Sequence, residues 1–519
     1  MKPKAEQIGN DPLRPLGFAM RSAIQSDYES VRPSQGRSTD VGVPNATATT
    51  EFIRSARAGN KKVTVLNSRD KPTDSMIPSR PAKSEWTLKR GHALTYAGLM
   101  LFTIVLYVRP AEFYPSPLTA SMALIIALAM LGFFVPSQLS LEGTLTARPT
   151  EVNLVLLFCL TALLSIPLAI NRYIAWQEFS GTFIRCLVIF IVIINSVRTR
   201  ARLKALLFIA LVSGIWLSVE AINDFRLGLA TVDGYRAGGR GSGIFGNTND
   251  MALHVVTLLP IAIALLFGTR SVIRKLLFGA CAAVMLAAIV LSYSRGAFLG
   301  LIVVLIFMAM KLGARHRVGI VLAVLGLAGA VLLFAPDNYG GRLLSIFMPS
   351  LDPGGSSDAR RGELWRSLYI AIRHPLLGIG MGNYQPEMSY KGLVTHNSYT
   401  QVAAEMGTSA LVCYTLFIVT PLRKLGQVAR ETFETRGSSD SYYLSVGLQA
   451  SLLAYMVSSF FLSVAYVWYV YYLVGFAVCL RRLYEAETGK AVVLEKRRER
   501  RQNKVQKPSV ISGGRAVTT

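Results

Sequence analysis

Residues 179–221 read FSGTFIRCLVIFIVIINSVRTRARLKALLFIALVSGIWLSVEA, and this stretch decides the fold class. Two apolar runs, 179–196 and 203–221, lie on either side of the basic segment VRTRARLK at 197–204. Each run has close to the roughly 20 apolar residues that a helix needs to cross a bilayer. Lys and Arg are enriched in loops that stay on the cytoplasmic side. The stretch therefore predicts two membrane helices joined by a cytoplasmic loop.

The composition of the whole chain agrees with a membrane protein. Hydrophobic residues make up 52% of its 519 residues and charged residues only 16%, against about 25% charged residues in a typical soluble domain. The five cysteines all lie within apolar runs, and none is close enough to another to form a metal pair. Neither disulfides nor a zinc site is therefore predicted.

Both ends of the chain are polar and basic, within a formal net charge of +25. Residues 1–90 contain no apolar run long enough for a signal peptide or a span, and they have too little apolar surface to fold alone. We expect 1–90 and 483–519 to be disordered cytoplasmic tails. A basic segment such as EKRRERRQNK can bind nucleic acid. Because it follows a predicted span, the membrane lipid is the expected partner and nucleic acid is not.

Twelve apolar runs are candidates for membrane helices. They lie at 91–108, 117–136, 151–170, 179–196, 203–221, 250–268, 274–292, 297–311, 317–335, 397–421, 442–462 and 464–481. Four connecting loops are basic, namely VRTRARLK, GTRSVIRK, KLGARHRV and RKLGQVARETFETRGSSD. With both termini in the cytoplasm, all four fall on the inner side. The sequence thus predicts an all-α polytopic membrane protein with about twelve transmembrane helices, nine in 91–335 and three in 397–482.

The same topology places residues 336–396 on the outer side as one large loop, which would be periplasmic in a Gram-negative bacterium. Its segment DARRGELWRSLYIAIR predicts an amphipathic helix. The apolar side chains of this helix are Leu364, Leu368 and Ile372 on one face, with Trp365 and Tyr369 beside them. Pro375 and three glycines in HPLLGIGMGNY then break the helix. We expect the helix to lie along the outer surface and to carry Arg361 over the mouth of the bundle.

Several arginines on the outer side depart from the positive-inside pattern. They are Arg236 and Arg240 in a Gly-rich loop, Arg295 before the eighth span, and Arg360, Arg361, Arg366 and Arg373 in the large loop. An anionic ligand would explain them, because guanidinium stays charged and binds phosphate oxygens in bidentate fashion. The alternative explanation is that these arginines are solvated or lie at the membrane interface without binding a ligand. Arg295 lies between two apolar helices, where an ionisable group usually marks a functional pocket.

The segment VTHNSYTQVAAEMG at 394–407 places a histidine where the large loop enters the tenth span. Among the five histidines, only His396 combines the outer side, the end of a span and nearby arginines. Its ordinary pKa of about 6.5 suits a general base at neutral pH. Asn397, Gln401 and Glu405 follow at a spacing that lines one helical face. Glu405 within a span needs a partner, so a structural role and a catalytic role are both open.

Several motifs occur in an order that resembles the O-antigen ligase and O-antigen polymerase superfamily. They are GIFGNTNDMA, SYSRGAFLGL, the pair Arg361 and Trp365, HPLLGIGMGNY and THNSYTQVAAEMG. The resemblance covers about residues 240–420, and YVRPAEFYP near the first span is similar to exopolysaccharide members. It implies a C-type glycosyltransferase fold without a metal or other cofactor. Such enzymes transfer a glycan from undecaprenyl diphosphate to an acceptor hydroxyl on the periplasmic side of the bacterial inner membrane.

The resemblance also implies roles for particular residues. Arg295 and Arg361 would hold the diphosphate, and His396 would assist the attack. Arg360 lies beside Arg361, so which of the two points inward is open. Further candidates are Arg236, Arg240, Arg360, Arg366 and Asn397 as substrate contacts, and Trp365, Gln401 and Glu405 as supporting residues. The acceptor is also open, since a second lipid-linked glycan and the lipid A core both fit.

A polysaccharide transporter or flippase without catalytic activity is the rival interpretation. Transporters favour inverted repeats, broken helices and charges near the membrane midplane. No repeat is visible in this sequence, and its unusual charges cluster on the outer side. The Gly-rich GYRAGGRGSG lacks the Lys-Ser/Thr ending of a P-loop, so nucleotide binding is not predicted. These features favour the enzyme.

Overall fold

The computed structural model describes residues 91–229, 236–238, 245, 247–312, 318–319, 322, 326, 356–389, 392–436 and 439–489. The main helices of these ranges are α1 (Ala93–Val108), α2 (Pro117–Glu142), α3 (Thr150–Ser165), α4 (Arg172–Ser196, with a π-helical stretch at Phe179–Phe183), α5 (Arg200–Arg226), α6 (Thr248–Gly268), α7 (Val272–Leu291), α8 (Arg295–Lys311), α9 (Ser356–Arg373), α10 (Ser398–Glu431), α11 (Ser441–Ser458) and α12 (Trp468–Glu487). The tail 1–90, residues 490–519 of the other tail, most of the predicted span at 317–335, and Arg240 lie outside the described residues.

Helices lie at the eleven predicted spans that fall within the described residues, and the predicted span at 317–335 lies mostly outside them. Within the described ranges, seven helical segments are long and apolar enough to cross a membrane, namely α2, α4, α5, α6, α7, α10 and α11 with its extension to Phe461. The apolar helices α1 and α3 are shorter, at 16 residues each. The all-helical membrane class is therefore confirmed for the described part of the chain, and the count of twelve spans stays a prediction.

Helices α6 and α11 form the centre of the bundle. Helix α6 packs against α5, α7, α8 and α11, and α11 also contacts α8, α10 and α12. Gly447 allows α11 to lie close to α6. A Cβ at this position would lie 2.5 Å from the Cβ of Ala264 and 3.0 Å from the carbonyl oxygen of Pro260. Small residues at such crossings are typical of membrane bundles, where tight packing replaces the hydrophobic effect.

Helix α10 continues about three turns beyond its predicted end. Its last turns carry Lys424, whose Nζ lies 3.1 Å from Oε1 of Glu151 on α3. The second oxygen of this fully buried carboxylate lies 3.1 Å from Nη2 of Arg481 on α12. Part of the basic loop predicted between spans ten and eleven is therefore helix, and its charge ties three helices together.

Helix α9 exists as predicted, and most of its large apolar side chains are exposed. The buried side consists of Glu363, Ser367 and Ile370. The exposed side chains are Trp365, Leu368, Tyr369 and Ile372, which are 39% to 70% exposed. The periodicity thus predicted the helix correctly. The polar members of the buried side, Glu363 and Ser367, form hydrogen bonds with residues that follow the helix.

Candidate functional site

His396 lies in the turn that leads into α10. Its backbone has a left-handed φ of +51°, and the next residue, Asn397, precedes the first residue of the helix, Ser398. The Oδ1 atom of Asn397 accepts hydrogen bonds from the backbone N–H groups of Tyr399 and Thr400, with distances of 2.9 and 3.0 Å. This side chain is buried, and its Nδ2 has no hydrogen-bond partner among the described residues. The predicted substrate contact Asn397 is therefore the N-cap that fixes the start of α10.

The linker between α11 and α12, residues 459–467, holds the His396 turn in place. The Ser398 hydroxyl donates to the carbonyl of Leu462 at 2.6 Å. The same oxygen accepts a hydrogen bond from the backbone N–H of Val464 at 2.9 Å. One buried hydroxyl thereby forms hydrogen bonds with two backbone groups of the linker.

The start of α8 packs against the other side of this linker. The Ser458 hydroxyl, at the end of α11, donates to the carbonyl of Gly296 at 3.1 Å. A Cβ on Gly296 would lie 3.0 Å from the Cβ of Phe461, so only a very small residue fits there. Arg295 is the first residue of α8. The linker thus brings the half-buried Arg295 and the half-buried His396 to the same end of the bundle.

Arg236 contacts the turn that precedes Arg295. Its side chain is buried, with Nε donating to the carbonyl of Ser292 at 3.2 Å and Nη2 donating to Oδ1 of Asn249 at 2.9 Å. These bonds join Arg236 to the turn and to the start of α6. Because its guanidinium bonds to the protein itself, Arg236 fits a supporting role for Arg295 better than the predicted contact with substrate.

Helix α9 brings Arg360 close to His396. The Ser367 hydroxyl donates to Oγ1 of Thr400 at 2.9 Å, so α9 lies against the first turn of α10. Arg360 lies two turns earlier on the same side of α9 and is half-buried, whereas Arg361 is exposed. Burial of the imidazole and, second, the charge of Arg360 lower the pKa of His396 to about 4. The ring is therefore neutral at pH 7.

Glu363 is a buried carboxylate that the sequence analysis did not single out. Its Oε2 accepts a hydrogen bond from the Tyr384 hydroxyl at 2.6 Å, and its Oε1 accepts one from Ser389 at 3.1 Å. Burial and the contact with Glu363 raise the pKa of Tyr384 above its ordinary value, so the hydroxyl keeps its proton. Arg366 donates to the carbonyl of Met388 at 2.6 Å. A polar stripe at helical spacing along α9 is the signal that would have identified Glu363.

Glu405 bonds to two segments that converge on α10. Its Oε2 accepts a hydrogen bond from the Tyr466 hydroxyl at 2.7 Å, and its Oε1 accepts one from the backbone N–H of Tyr384 at 3.2 Å. One turn earlier, Oε1 of Gln401 is buried without a hydrogen-bond partner in the described part of the chain. The contacts of Glu405 favour its structural interpretation, because they join α10 to the linker and to the HPLLGIGMGNY segment.

Helix α10 is broken at Gly407, and the HPLLGIGMGNY segment fills the break. Gly407 has φ +84° and ψ 179°, which are not helical angles. The N–H of Thr408 donates to the carbonyl of Pro375 at 2.7 Å, and the N–H of Gly380 donates to the carbonyl of Glu405 at 2.8 Å. Backbone groups released by the break thus bond to the inserted segment, as a low-dielectric surrounding requires.

Two comparisons bear on this site. The family model described as O-antigen ligase matches residues 280–415, which run from α7 to α10 and include Arg295, α9 and His396. Comparison with curated proteins gives no match. In the described part of the chain, no three His, Cys, Asp or Glu side chains are grouped to hold a metal ion. Residues 280–415 therefore carry an O-antigen ligase-related domain, within a chain that is an all-helical membrane protein where it is described.

Proposed function

We propose that the protein is a glycan ligase or polymerase of the bacterial inner membrane. It transfers an oligosaccharide or polysaccharide from undecaprenyl diphosphate to a hydroxyl of a second glycan or of the lipid A core. The observation that carries the proposal is the grouping of neutral His396 with Arg360 and the Arg295 turn inside the matched segment. The predicted topology places this end of the bundle in the periplasm.

In this reaction the acceptor hydroxyl attacks the carbon that bears the diphosphate. His396 accepts the hydroxyl proton as the new glycosidic C–O bond forms. The bond between that carbon and the phosphate oxygen breaks, and undecaprenyl diphosphate leaves with the electron pair. Arginines stabilise its growing charge without an added cation. A bound diphosphate would also raise the pKa of His396, because nearby negative charge favours the imidazolium.

The two neighbouring arginines of α9 have different surroundings. The family resemblance assigns the phosphate contact to Arg361, but Arg361 is exposed. Arg360 is half-buried, and its charge acts on His396. We therefore assign the inward role to Arg360, with Arg361 as the matched control.

Arg360→Gln should lower turnover about 10²-fold, the usual loss when one donor to a developing charge is removed. It should also shift the acid limb of kcat/KM to higher pH. Arg360 helps to hold the pKa of His396 at about 4, and without its charge that pKa rises toward its ordinary value of about 6.5. The shift is partial because burial, the larger cause, remains. The measurement is glycan transfer from a lipid-diphosphate donor in proteoliposomes, followed across pH.

Arg361→Gln should change neither turnover nor the pH profile by more than about twofold, as is usual for an exposed surface substitution. An inactive Arg361→Gln beside an active Arg360→Gln would reverse the assignment and return the role to Arg361.

The exposed side of α9 is continuous with apolar surface on α10. Leu376, just after α9, is 79% exposed, and its carbonyl accepts a hydrogen bond from Ser409 at 3.4 Å. Val412 and Leu416, exposed on α10, continue this surface one and two turns further along the helix. Trp and Tyr on such a surface are typical of the membrane interface, and helices with this pattern lie in its plane. We infer that α9 rests in the outer leaflet beside the site.

An environment-sensitive fluorophore on Ile372→Cys, in a protein without its native cysteines, should be quenched by lipids with a nitroxide high on the acyl chain. Gln385→Cys is the control. It is exposed and follows Tyr384, which bonds to Glu363 on the buried side of α9. It should be quenched by an aqueous reagent instead. Equal lipid quenching at both positions would contradict the inferred placement of α9.

The break in α10 is the feature that would favour a transporter, because transporters use discontinuous helices. Here the break is bonded to residues 375–380 of the same chain. A structural junction accounts for it. Proteoliposomes that contain donor and acceptor on one side only distinguish the two functions. A transferase forms product there because the reaction needs no movement of glycan across the membrane, whereas a transporter forms none.

A further inference from the structure

A groove of about 470 Å³ lies at the end of the bundle far from His396. Helix α11 defines the two ends. It finishes at Ser458, which bonds to the residue after Arg295, and it begins beside Asp440, which lines the groove. Its 18 residues separate the two ends by roughly 27 Å at 1.5 Å per residue. The groove is therefore separate from the site described above.

The walls of the groove are apolar and come from four helices, since Leu444 of α11 also lines it. They include Leu207 and Phe208 of α5, Leu265 of α6 and Phe278 of α7. Phe208 is 58% exposed. Since these helices are long and apolar enough to cross a membrane, the exposed Phe208 ring faces the lipid. The groove thus opens sideways, toward the hydrocarbon of the bilayer.

The rim of the groove is cationic. Lys204 and Arg274 line it together with one carboxylate, Asp440. That carboxylate is already shared, because it pairs with Lys204 and with Nη1 of Arg200 at 3.2 Å. Arg274 is exposed and, within the described ranges, has no ion-pair partner. Two cations against one carboxylate leave the lining with a net charge of +1 before Arg200 is counted.

The rim lies where a lipid headgroup would lie. Gly268, which also lines the groove, ends α6, and α7 begins at Val272. The cations therefore sit where these helices leave the apolar layer, above walls that face acyl chains. Basic pockets between membrane helices at this depth are suited to anionic headgroups.

We propose that the groove binds one anionic phospholipid from the leaflet at this end of the bundle. An acyl chain occupies the wall formed by Leu207, Phe208 and Phe278, and the phosphate lies beside Arg274 and Lys204. The proposal does not depend on the transfer reaction. A zwitterionic lipid carries no net charge and therefore loses the attraction to this rim.

The experiment uses the purified full-length protein in neutral detergent, with its thermal unfolding midpoint followed during titration with phosphatidylglycerol. Wild type should be stabilised by phosphatidylglycerol and not by phosphatidylcholine, because binding to the folded state raises stability. Arg274→Gln should bind phosphatidylglycerol about fivefold more weakly, the loss expected for one cation at an anionic headgroup. Asp440→Asn should bind it more tightly, because it frees Lys204 for the phosphate.

Lys275→Gln is the matched control, since Lys275 is exposed on the same turn of α7 but does not line the groove. It should titrate like wild type. Equal weakening by Arg274→Gln and Lys275→Gln would overturn the site in favour of nonspecific attraction. Equal stabilisation by phosphatidylcholine would overturn the selectivity. A larger effect of undecaprenyl phosphate than of phosphatidylglycerol would overturn the phospholipid assignment.

Discussion

His396→Ala should reach the membrane in normal amounts and transfer glycan about 10²- to 10⁴-fold more slowly than wild type, the range for loss of a general base. The ring is half-buried and is held neutral by burial and by Arg360, so it can accept a proton at pH 7. Packing should survive the change because the turn is fixed by the bonds of Ser398 and Asn397 instead of the imidazole. The measurement is product formed per molecule of enzyme in proteoliposomes.

His374→Ala provides a histidine control, because His374 lies in the same predicted periplasmic loop as His396. His374 follows α9 and is exposed, so its removal should leave turnover unchanged. Full activity of His396→Ala would exclude the general-base role. Activity that disappears when a chelator is added to wild type would contradict the predicted independence from metal.

The positions of most helices could be predicted from the sequence because a bilayer imposes a length and a composition on every span. Hydropathy does not show where a helix continues beyond the apolar layer. Helix α10 extends to Glu431, and its additional turns are held by an ion pair between Lys424 and the buried carboxylate of Glu151, which is distant in the sequence. Such a pairing between remote residues leaves no local pattern in the sequence.

The orientation of α9 is a second feature that could not be predicted from the sequence. The period of its apolar residues is a local property, so the helix itself was predictable. Whether that apolar side meets protein or lipid depends on surroundings that periodicity does not describe. In the structure the polar side, with Glu363 and Ser367, meets the rest of the protein.

The candidate site was predictable as a set of residues but not as an arrangement. Topology and motif order pointed to Arg295 and His396. Their placement depends on the 459–467 linker, whose Leu462 and Val464 bond to Ser398 through backbone groups that any residue carries. The roles of the neighbouring Arg360 and Arg361 could not be assigned from the sequence, because the two residues differ only in the direction of their side chains on one helix.

Gly407→Ala should destabilise the protein by about 4 kcal/mol or more, which is exceptional for a single substitution. The residue has φ +84°, where alanine is strained, and an added Cβ would lie 2.3 Å from the carbonyl oxygen of Leu376. That contact is with backbone, so no side-chain rotation relieves it. We expect little folded protein in the membrane, measured as the monodisperse fraction in detergent and as the unfolding midpoint of what remains.

Gly132→Ala on α2 is the control, because a Cβ there meets no described atom within 4 Å and alanine favours a helix by about 1 kcal/mol over glycine. Gly378→Ala tests the same junction from the other side. Gly378 has φ +64°, and its added Cβ would lie 2.3 Å from the carbonyl carbon of Glu405. If the inserted segment and the break form one unit, the double variant should be little worse than the poorer single variant, since effects at a shared contact are not additive. Additive losses would mean that the two glycines act separately, and a stable Gly407→Ala protein would mean that the break in α10 does not depend on this insertion.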